Sequence, residues 1–220
     1  MSDVREFIAK NVASLLRDGD VINLGVGIPT LTTQFLPEGV EVFVQAENGI
    51  IGCGPEAVGD GIDRDVIDAG AKYITILPGG WYFDSAISFG IIRGSHLDAT
   101  VLGALQVDEK GNLANWYVPG KLLPGPGGAM DLVAGAKKVI VAMEHTTKYG
   151  EPKVLSKCTL PLTSIGTVTT IVTELAILNR TPQGLEIAAL APGETVESVQ
   201  AKTGCALHLP TDGKIGTMIQ

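Results

Sequence analysis

Cysteine and histidine are scarce in this sequence, and their spacing matches no common metal or disulfide pattern. The chain has three cysteines and three histidines in 220 residues. Cys53, Cys158 and Cys205 are odd in number and far apart, so they fit neither a disulfide framework nor the C-x-x-C pairs of zinc sites. No two histidines follow the H-x-x-x-H spacing. We therefore expect reduced thiols and no metal site.

The sequence also lacks a basic excess and a long apolar run. The formal net charge is −8 at pH 7, which argues against nucleic acid as a partner. No stretch approaches the ~20 apolar residues of a membrane-spanning helix. Asp3, Arg5, Glu6 and Lys10 interrupt the N-terminal region, unlike the apolar run of a signal peptide. From these absences we expect a cytoplasmic protein that binds neither nucleic acid nor a membrane.

Apolar residues and glycines are abundant instead. Hydrophobic residues make up 45% of the chain and charged residues 18%, which is typical of a globular core. The length suits one full-sized domain, so we predict a single domain over residues 1–220. The 28 glycines indicate many tight turns and close backbone approaches. Backbone amides at such turns can bind an anion even in an acidic protein.

Strand patterns and helix patterns alternate along the chain. Helices are predicted over Ser2–Asp18, Pro29–Leu36, Asp84–Ile92, Ala129–Ala134 and Glu194–Lys202. Ser2 is the expected cap of the first helix. Strands are predicted at Val21–Gly27, before Glu47, and at Ala71–Leu77, Ala99–Val107, Lys137–Met143, Thr167–Leu178 and Gly184–Leu190. This alternation predicts an α/β fold with an open, mostly parallel sheet flanked by helices.

Glu47 stands where one predicted strand ends. Valines alternate with other residues over Val40–Val44, and Asn48-Gly49 is a strong turn dipeptide. In open α/β sheets, ligands bind at the carboxyl ends of the strands. A carboxylate at that position can be aimed at a substrate as a nucleophile or a base. The alternative interpretation is a solvated glutamate that precedes a turn.

Two glycine-rich segments follow the pattern of ligand-binding loops. Gly25-Val26-Gly27 stands at the end of the predicted strand Val21–Gly27, and Glu47 lies at a distance that suits a dinucleotide-binding motif. Thr30 occupies the third glycine position of that motif, which disfavours the dinucleotide but leaves a ligand close to the backbone. In the second segment, Gly125–Gly128 leads into a helix whose free amides could stabilise an oxyanion. The alternative there is an ordinary loop before a helix.

Glu144 and His145 follow another predicted strand and form a further candidate pair. Such a pair could serve as acid–base machinery. No Ser or Cys stands nearby in a nucleophile turn, so a structural hydrogen-bonding role is the favoured interpretation.

Several stretches of the sequence match the motifs of one known family. They are Asn23–Thr30, Gln45–Gly52, Val101–Val107, Leu113–Lys121, Gly127–Val133 and Lys157–Thr163. These stretches resemble the motifs of class I coenzyme A transferases, in particular the beta subunit of the 3-oxoacid type. The resemblance covers nearly the whole chain and weakens after about Leu178. Two residues depart from the family, because Ala46 replaces a usual Ser and Pro126 a usual Met.

The resemblance implies a ping-pong exchange of coenzyme A between an acyl-CoA and a carboxylic acid. Glu47 would be the nucleophile and would carry CoA as a glutamyl thioester, and a backbone amide of Gly128 would be an oxyanion donor. Coenzyme A is then a substrate, and no cofactor is expected. The residues implied to bind the substrate or CoA are Gly25, Gly27, Asn48, Gly49, Gly127 and Ala129.

The resemblance further implies a partner chain, the alpha subunit, in a hetero-oligomer such as α2β2. That partner carries a Gly-Gly-Phe motif that is absent from this sequence. A short-chain 3-oxoacid such as acetoacetate is the expected substrate, with acetate, butyrate or succinate as its counterpart, as in ketone-body or short-chain fatty acid metabolism. The alternatives are a nicotinamide-dependent oxidoreductase and a non-catalytic acyl-CoA-binding subunit.

Overall fold

A computed structural model describes residues 3–118, 120 and 125–220 of the chain. Its α-helices are α1 (Val4–Ala13), α2 (Ser85–Arg93), α3 (Ala129–Gly135) and α4 (Val196–Ala201), and 3-10 helices span Ile28–Phe35 and Gly59–Gly61. The strands are β1 (Val21–Leu24), β2 (Phe43–Ala46), β3 (Ile50–Glu56), β4 (Ile74–Tyr82), β5 (Ala99–Leu102), β6 (Gln106–Asp108), β7 (Leu113–Ala114), β8 (Lys138–Ala142), β9 (Val154–Leu155), β10 (Thr170–Val172), β11 (Ala176–Thr181), β12 (Gly184–Leu190), β13 (Leu207–His208) and β14 (Gly216–Thr217).

Eleven of the described strands form one mixed sheet. Its order is β13-β12-β11-β10-β8-β5-β1-β2-β3-β4, and β14 also pairs with β12. The central strands β10, β8, β5, β1 and β2 are all parallel. Antiparallel strands extend this centre on both sides, with β3 and β4 at one end and β11 and β12 at the other. The predicted α/β fold with a mostly parallel sheet is confirmed.

Apolar side chains cover both faces of this sheet. One core cluster includes residues of α2, α3 and α4, and a second includes residues of α1. Neighbouring residues of β1 divide between them, with Val21 packed against the first cluster and Ile22 buried in the second. This alternation is the period of two that a strand buried on both faces requires. No described helix is long and apolar enough to cross a membrane.

Two strand predictions are wrong, because each predicted strand is two separate strands in the structure. The predicted strand Ala99–Val107 divides into β5 of the large sheet and β6 of a separate sheet, whose order is β7-β6-β9. The predicted strand Thr167–Leu178 is the antiparallel pair β10 and β11. The Thr173 hydroxyl accepts hydrogen bonds from the amides of Leu175 and Ala176 and so forms the turn between them. A continuous apolar pattern does not reveal such a side-chain-stabilised turn.

Other predicted boundaries shift for local reasons. The strand expected to end before Pro78 continues to Tyr82, because Gly52 of β3 lets β4 approach closely at Gly80. A methyl group built on Gly52 would lie 2.8 Å from the Gly80 Cα. The first helix ends at Ala13 and its cap is Asp3, whose side chain accepts from Arg5 N at 3.1 Å. The predicted cap Ser2, and Pro119 and Lys121 of the family motif, lie outside the described residues.

Candidate active site

Glu47 lies at the carboxyl end of β2, in the tight turn that leads into β3. Gly49 N donates to Ala46 O at 3.0 Å across this turn. Gly49 has a φ of 125°, and a methyl group built on it would lie 2.0 Å from the carbonyl oxygen of Phe83. Only glycine fits under that carbonyl, so the turn is fixed against the segment that precedes α2. The half-buried Glu47 side chain therefore projects from a rigid support.

The Glu47 carboxylate receives a hydrogen bond from a buried amide. Asn23 Nδ2 on β1 lies 3.1 Å from Glu47 Oε2. The parallel pairing of β1 with β2 places Asn23 beside Gln45, and Gln45 and Glu47 lie two residues apart. Sequence reasoning did not single out Asn23. A polar residue inside the otherwise apolar strand Val21–Leu24 is the signal that could have revealed it.

Gly128 lies directly beside Glu47. It is buried and forms the N-cap of α3. A methyl group built on it would lie 3.4 Å from Glu47 Cγ, 3.5 Å from Glu47 Oε1 and 3.3 Å from Phe89 Cζ. The structure thus brings together the two residues that the sequence predicts as nucleophile and oxyanion donor, although they are 81 positions apart in the chain.

Glu47 and Gly128 line a cavity of about 1010 Å³. Among the residues predicted to bind the substrate, Gly25, Gly127 and Ala129 also line it. A methyl group on Gly25 would lie 3.1 Å from Leu102 Cδ2 and 3.3 Å from Val101 O, so this part of the lining is closely packed. The volume suits part of an acyl-CoA molecule, since ligand sites commonly enclose 300 to roughly 1,000 Å³.

Three other predicted binding residues are not among the described lining of this cavity. Gly27 precedes the 3-10 helix Ile28–Phe35 with a φ of 105°. Gly49 is buried in the turn beside Glu47. Asn48 is exposed, and its Nδ2 donates to Ile67 O at 2.8 Å. Gly49 therefore shapes the support of Glu47, and the binding roles of these residues stay predictions.

The thiol of Cys53 and several charged groups also line the cavity. Lys72 Nζ and Glu56 Oε2 form a loose, solvent-exposed pair at 3.9 Å. Burial, followed by the charge of Asp68, raises the pKa of the Cys53 thiol to about 12. The thiol is therefore protonated at neutral pH and is a poor nucleophile.

The structure gives His145 a structural role. Its ring is fully buried, with Nδ1 3.0 Å from Thr173 Oγ1 and Nε2 2.9 Å from Thr203 Oγ1. Burial, aided by the charge of Lys202, lowers the pKa of His145 to about 4. Neither His145 nor the exposed Glu144 is among the described residues that line the large cavity. The pair is therefore not placed to exchange protons with Glu47.

The described residues contain no group of three or more His, Cys, Asp and Glu side chains that could hold a metal ion.

A family model described as "Coenzyme A transferase" matches residues 5–202. The chain belongs to the coenzyme A transferase family. The predicted class of enzyme is thereby confirmed, and membership favours coenzyme A transfer over the dinucleotide alternative.

Named relatives cover nearly the whole chain. It is 48% identical over 210 residues to the beta subunit of an acetate CoA-transferase of Escherichia coli K12, with 96% of each chain covered. It is 46% identical over 200 residues to the corresponding subunit of a succinyl-CoA:3-ketoacid coenzyme A transferase of Helicobacter pylori J99, covering 91% of this chain and 96% of that one. Both relatives support the predicted subunit type within the family.

A solved structure shares the fold. An acyl-CoA transferase apoenzyme from Escherichia coli O157:H7 superimposes with a TM-score of 0.76 at 22% identity. The match covers 99% of this chain and 43% of that chain, so this chain spans less than half of that longer protein. At this identity the likeness shows the fold alone.

The buried histidine predicts a specific pH dependence of stability. Its pKa is about 4 in the folded chain and 6.5 in its ordinary state. As the pH falls below 6.5, the unfolded chain binds the proton and the folded chain does not, so the free energy of unfolding decreases until about pH 4. At pH 5 the contribution of His145 to this decrease is about 2 kcal/mol. Urea unfolding at pH 7 and pH 5 measures it.

His145→Gln should therefore lose less stability between pH 7 and pH 5 than the wild type does. His96→Gln is the matched control, because His96 is exposed, and it should keep the wild-type decrease. An equal decrease in His145→Gln and the wild type would show that His145 does not cause the pH dependence.

Proposed function

We propose that this chain is the nucleophile-bearing subunit of a two-chain enzyme that moves coenzyme A between an acyl-CoA and a short-chain carboxylic acid. The observation that carries the proposal is the Glu47 carboxylate, which lies in the large cavity with Asn23 on one oxygen and Gly128 beside the other. A carboxylate suits this task because it is ionised at neutral pH, with a reference pKa of about 4.3. The membership of this chain in the coenzyme A transferase family supports the proposal.

The proposed chemistry proceeds in two bond exchanges at Glu47. A carboxylate oxygen attacks the acyl-CoA carbonyl carbon, the carbon–sulfur bond breaks, and CoA leaves as a thiolate from an acyl-glutamyl anhydride. The thiolate then attacks the glutamyl carbon and expels the first acid as a carboxylate. The product is a glutamyl-CoA thioester. A second acid reverses both steps and leaves as a new acyl-CoA.

Each attack creates an oxyanion that needs a hydrogen-bond donor. Gly128 is the proposed donor in this chain, because it is buried and adjoins Glu47. Among the described residues its backbone amide has no hydrogen-bond acceptor, whereas Ala129 N donates to Pro126 O at 3.2 Å. An amide held ready in a site that excludes water stabilises the developing charge without reorganisation.

The proposed substrates are short acids, with a 3-oxoacid such as acetoacetate as the preferred one. The names of two relatives, an acetate CoA-transferase and a succinyl-CoA:3-ketoacid transferase, support acids of this size. Exchange of one thioester for another needs no metal and no redox group. Ala46 and Pro126 both line the cavity, so the two departures from the family motifs are placed to influence the choice of acid.

The proposal includes a second chain, the alpha subunit, in an assembly such as α2β2. Two relatives are named as one subunit of their enzymes. The longer Escherichia coli O157:H7 chain matches this one over only 43% of its length, so more than half of it has no counterpart here. The alpha subunit is proposed to supply the second oxyanion donor.

Glu47 should become covalently attached to CoA during turnover. The test incubates the two-subunit enzyme with acetoacetyl-CoA and no acceptor acid, followed by trypsin digestion. Asp18–Arg64 is the expected peptide, because it follows Arg17 and contains no Lys or Arg before Arg64. Mass spectrometry should find a CoA-sized, hydroxylamine-labile mass on this peptide, and fragmentation should locate it on Glu47.

Glu47→Gln should bind acyl-CoA but form no adduct, because an amide replaces the nucleophilic carboxylate. Glu41→Gln is the matched control on the same peptide, since Glu41 is exposed and outside the described cavity lining. It should retain both adduct and exchange. An adduct on another acid would contradict the assignment, and binding without consumption in the wild type would favour the non-catalytic alternative.

Gly128→Val should slow turnover strongly while the fold survives. Valine adds bulk where a single methyl group already lies 3.4 Å from Glu47 Cγ. Valine keeps the backbone N–H but crowds the approach of the thioester oxygen to it, and an oxyanion donor that can no longer be reached typically lowers the rate by a factor of about 10² to 10³. Gly90→Ala on the exposed face of α2 is the control, because a methyl group there meets nothing within 4 Å. Near-normal exchange in Gly128→Val, with circular dichroism unchanged, would place the oxyanion donor elsewhere.

The isolated chain should not exchange coenzyme A, because only part of the site lies on it. Exchange of labelled acetate or acetoacetate into acyl-CoA should appear when the chain is co-expressed with its alpha subunit. The assay compares both preparations at equal chain concentration, without metal, nucleotide or reductant. Comparable turnover by the isolated chain would refute the need for a partner.

A further inference from the structure

A chain of three buried polar side chains leads from α2 to Glu47. Ser88 on α2, Gln45 on β2 and Asn23 on β1 are each at most 1% exposed. Gln45 Nε2 donates to Ser88 Oγ at 2.8 Å, and Asn23 Nδ2 donates to Gln45 Oε1 at 2.8 Å. A buried polar group is unfavourable unless it is hydrogen-bonded, so each member of this chain fixes the next.

The hydrogen bonds that orient the Asn23 side-chain amide all come from its nitrogen, Nδ2. Nδ2 has three acceptors in reach: Gln45 Oε1 at 2.8 Å, Gln45 O at 3.0 Å and Glu47 Oε2 at 3.1 Å. Its Oδ1 is buried and has no partner among the described residues. An amide nitrogen has only two hydrogens, so Gln45 and Glu47 share them. The position of Gln45, held by Ser88, therefore decides how the amide meets the carboxylate.

We propose that Asn23 is a positioning residue for the reaction, and that Ser88 and Gln45 hold it in place. This inference rests on the proposed function of Glu47. Asn23 binds Oε2 and thereby leaves Oε1, the oxygen beside Gly128, as the attacking atom. Neither the family match nor the motif around Glu47 assigns this role to a residue of β1.

The two carboxylate oxygens then have different fates. Oε1 forms the bond to the acyl carbon, and it departs with the released acid when the thiolate attacks the glutamyl carbon. Oε2 stays on Glu47 and becomes the carbonyl oxygen of the thioester. A carbonyl oxygen still accepts a hydrogen bond, so Asn23 can hold the side chain in the same orientation before and after the exchange.

Asn23→Leu tests this role in the two-subunit enzyme, because the leucine side chain has a similar size and no hydrogen-bond donor. Adduct formation is followed in a single turnover with acetoacetyl-CoA by quenched mass spectrometry, and kcat and KM are measured alongside. The rate should fall by about 10- to 100-fold, since a misplacement of ~1 Å at a reacting group can reduce the rate by that much. KM for acetoacetyl-CoA should change little, and the adduct should remain on Glu47.

Ser88→Ala removes only the far end of the chain and is a second variant that tests the same role if Asn23→Leu folds poorly. It should slow adduct formation less than Asn23→Leu does, again with little change in KM. The double variant should be no slower than Asn23→Leu alone, because residues in one network are not additive. A wild-type rate in Ser88→Ala, or fully additive losses, would overturn the connection through Gln45.

Asn11→Leu is the matched control, with the same substitution at an equally buried asparagine. Asn11 lies on α1 at the opposite face of the sheet, where its side chain binds Phe7 O and both backbone groups of Ile219. Its loss should lower the melting temperature and leave the rate per folded site unchanged. If Asn23 had only a structural role, Asn23→Leu would likewise lower the melting temperature and leave the rate per folded site unchanged.

The outcomes separate this inference from the proposed function. If wild-type enzyme forms the adduct on Glu47 and Asn23→Leu forms it at the wild-type rate, the positioning role is refuted and the proposed function stands. If the wild type forms no adduct on Glu47, both are refuted.

Discussion

The site depends on the parallel pairing of β1 with β2. That pairing places Asn23 beside Gln45, and the period of two along β2 then carries Glu47 onto the same side, within 3.1 Å of the Asn23 amide. A slip of β1 by one residue would turn Asn23 to the face of the sheet opposite Gln45 and Glu47. The apolar neighbours of Asn23 on β1 oppose such a slip, because they fill the cores on both faces.

Glycine is the second constraint at this edge of the sheet. Gly49 allows the turn after Glu47 to pass under the Phe83 carbonyl, and Gly128 allows the start of α3 to lie against the Glu47 side chain. The two positions differ in kind. Gly49 needs both its positive φ and its lack of a side chain, whereas Gly128 has an ordinary φ of −80°, and a methyl group there would lie 3.4 Å from Glu47 Cγ. The first glycine fixes the support of the carboxylate, and the second brings a backbone amide beside it.

Buried polar groups serve two separate purposes in this fold. Asn23, Gln45 and Ser88 form a hydrogen-bonded chain that ends at a carboxylate in the cavity. The His145 ring is hydrogen-bonded to the hydroxyls of Thr173 and Thr203, and His145 lies outside the described cavity lining. Every side chain in both groups is hydrogen-bonded, although Asn23 Oδ1 has no partner among the described residues, and only the first group reaches a reactive carboxylate.

The sequence by itself determined the fold class, the position of Glu47 at a strand end and the glycine segment at Gly128. These follow from local signals: hydrophobic periodicity, a turn dipeptide and glycines before a helix, together with motifs that match one family. Only the tertiary structure decided that Asn23 binds Glu47, that Gly128 adjoins it, and that the patterns at Ala99–Val107 and Thr167–Leu178 each hold two strands. Strand order, register and helix packing bring distant residues together, and periodicity within one segment carries no information about its neighbours in space.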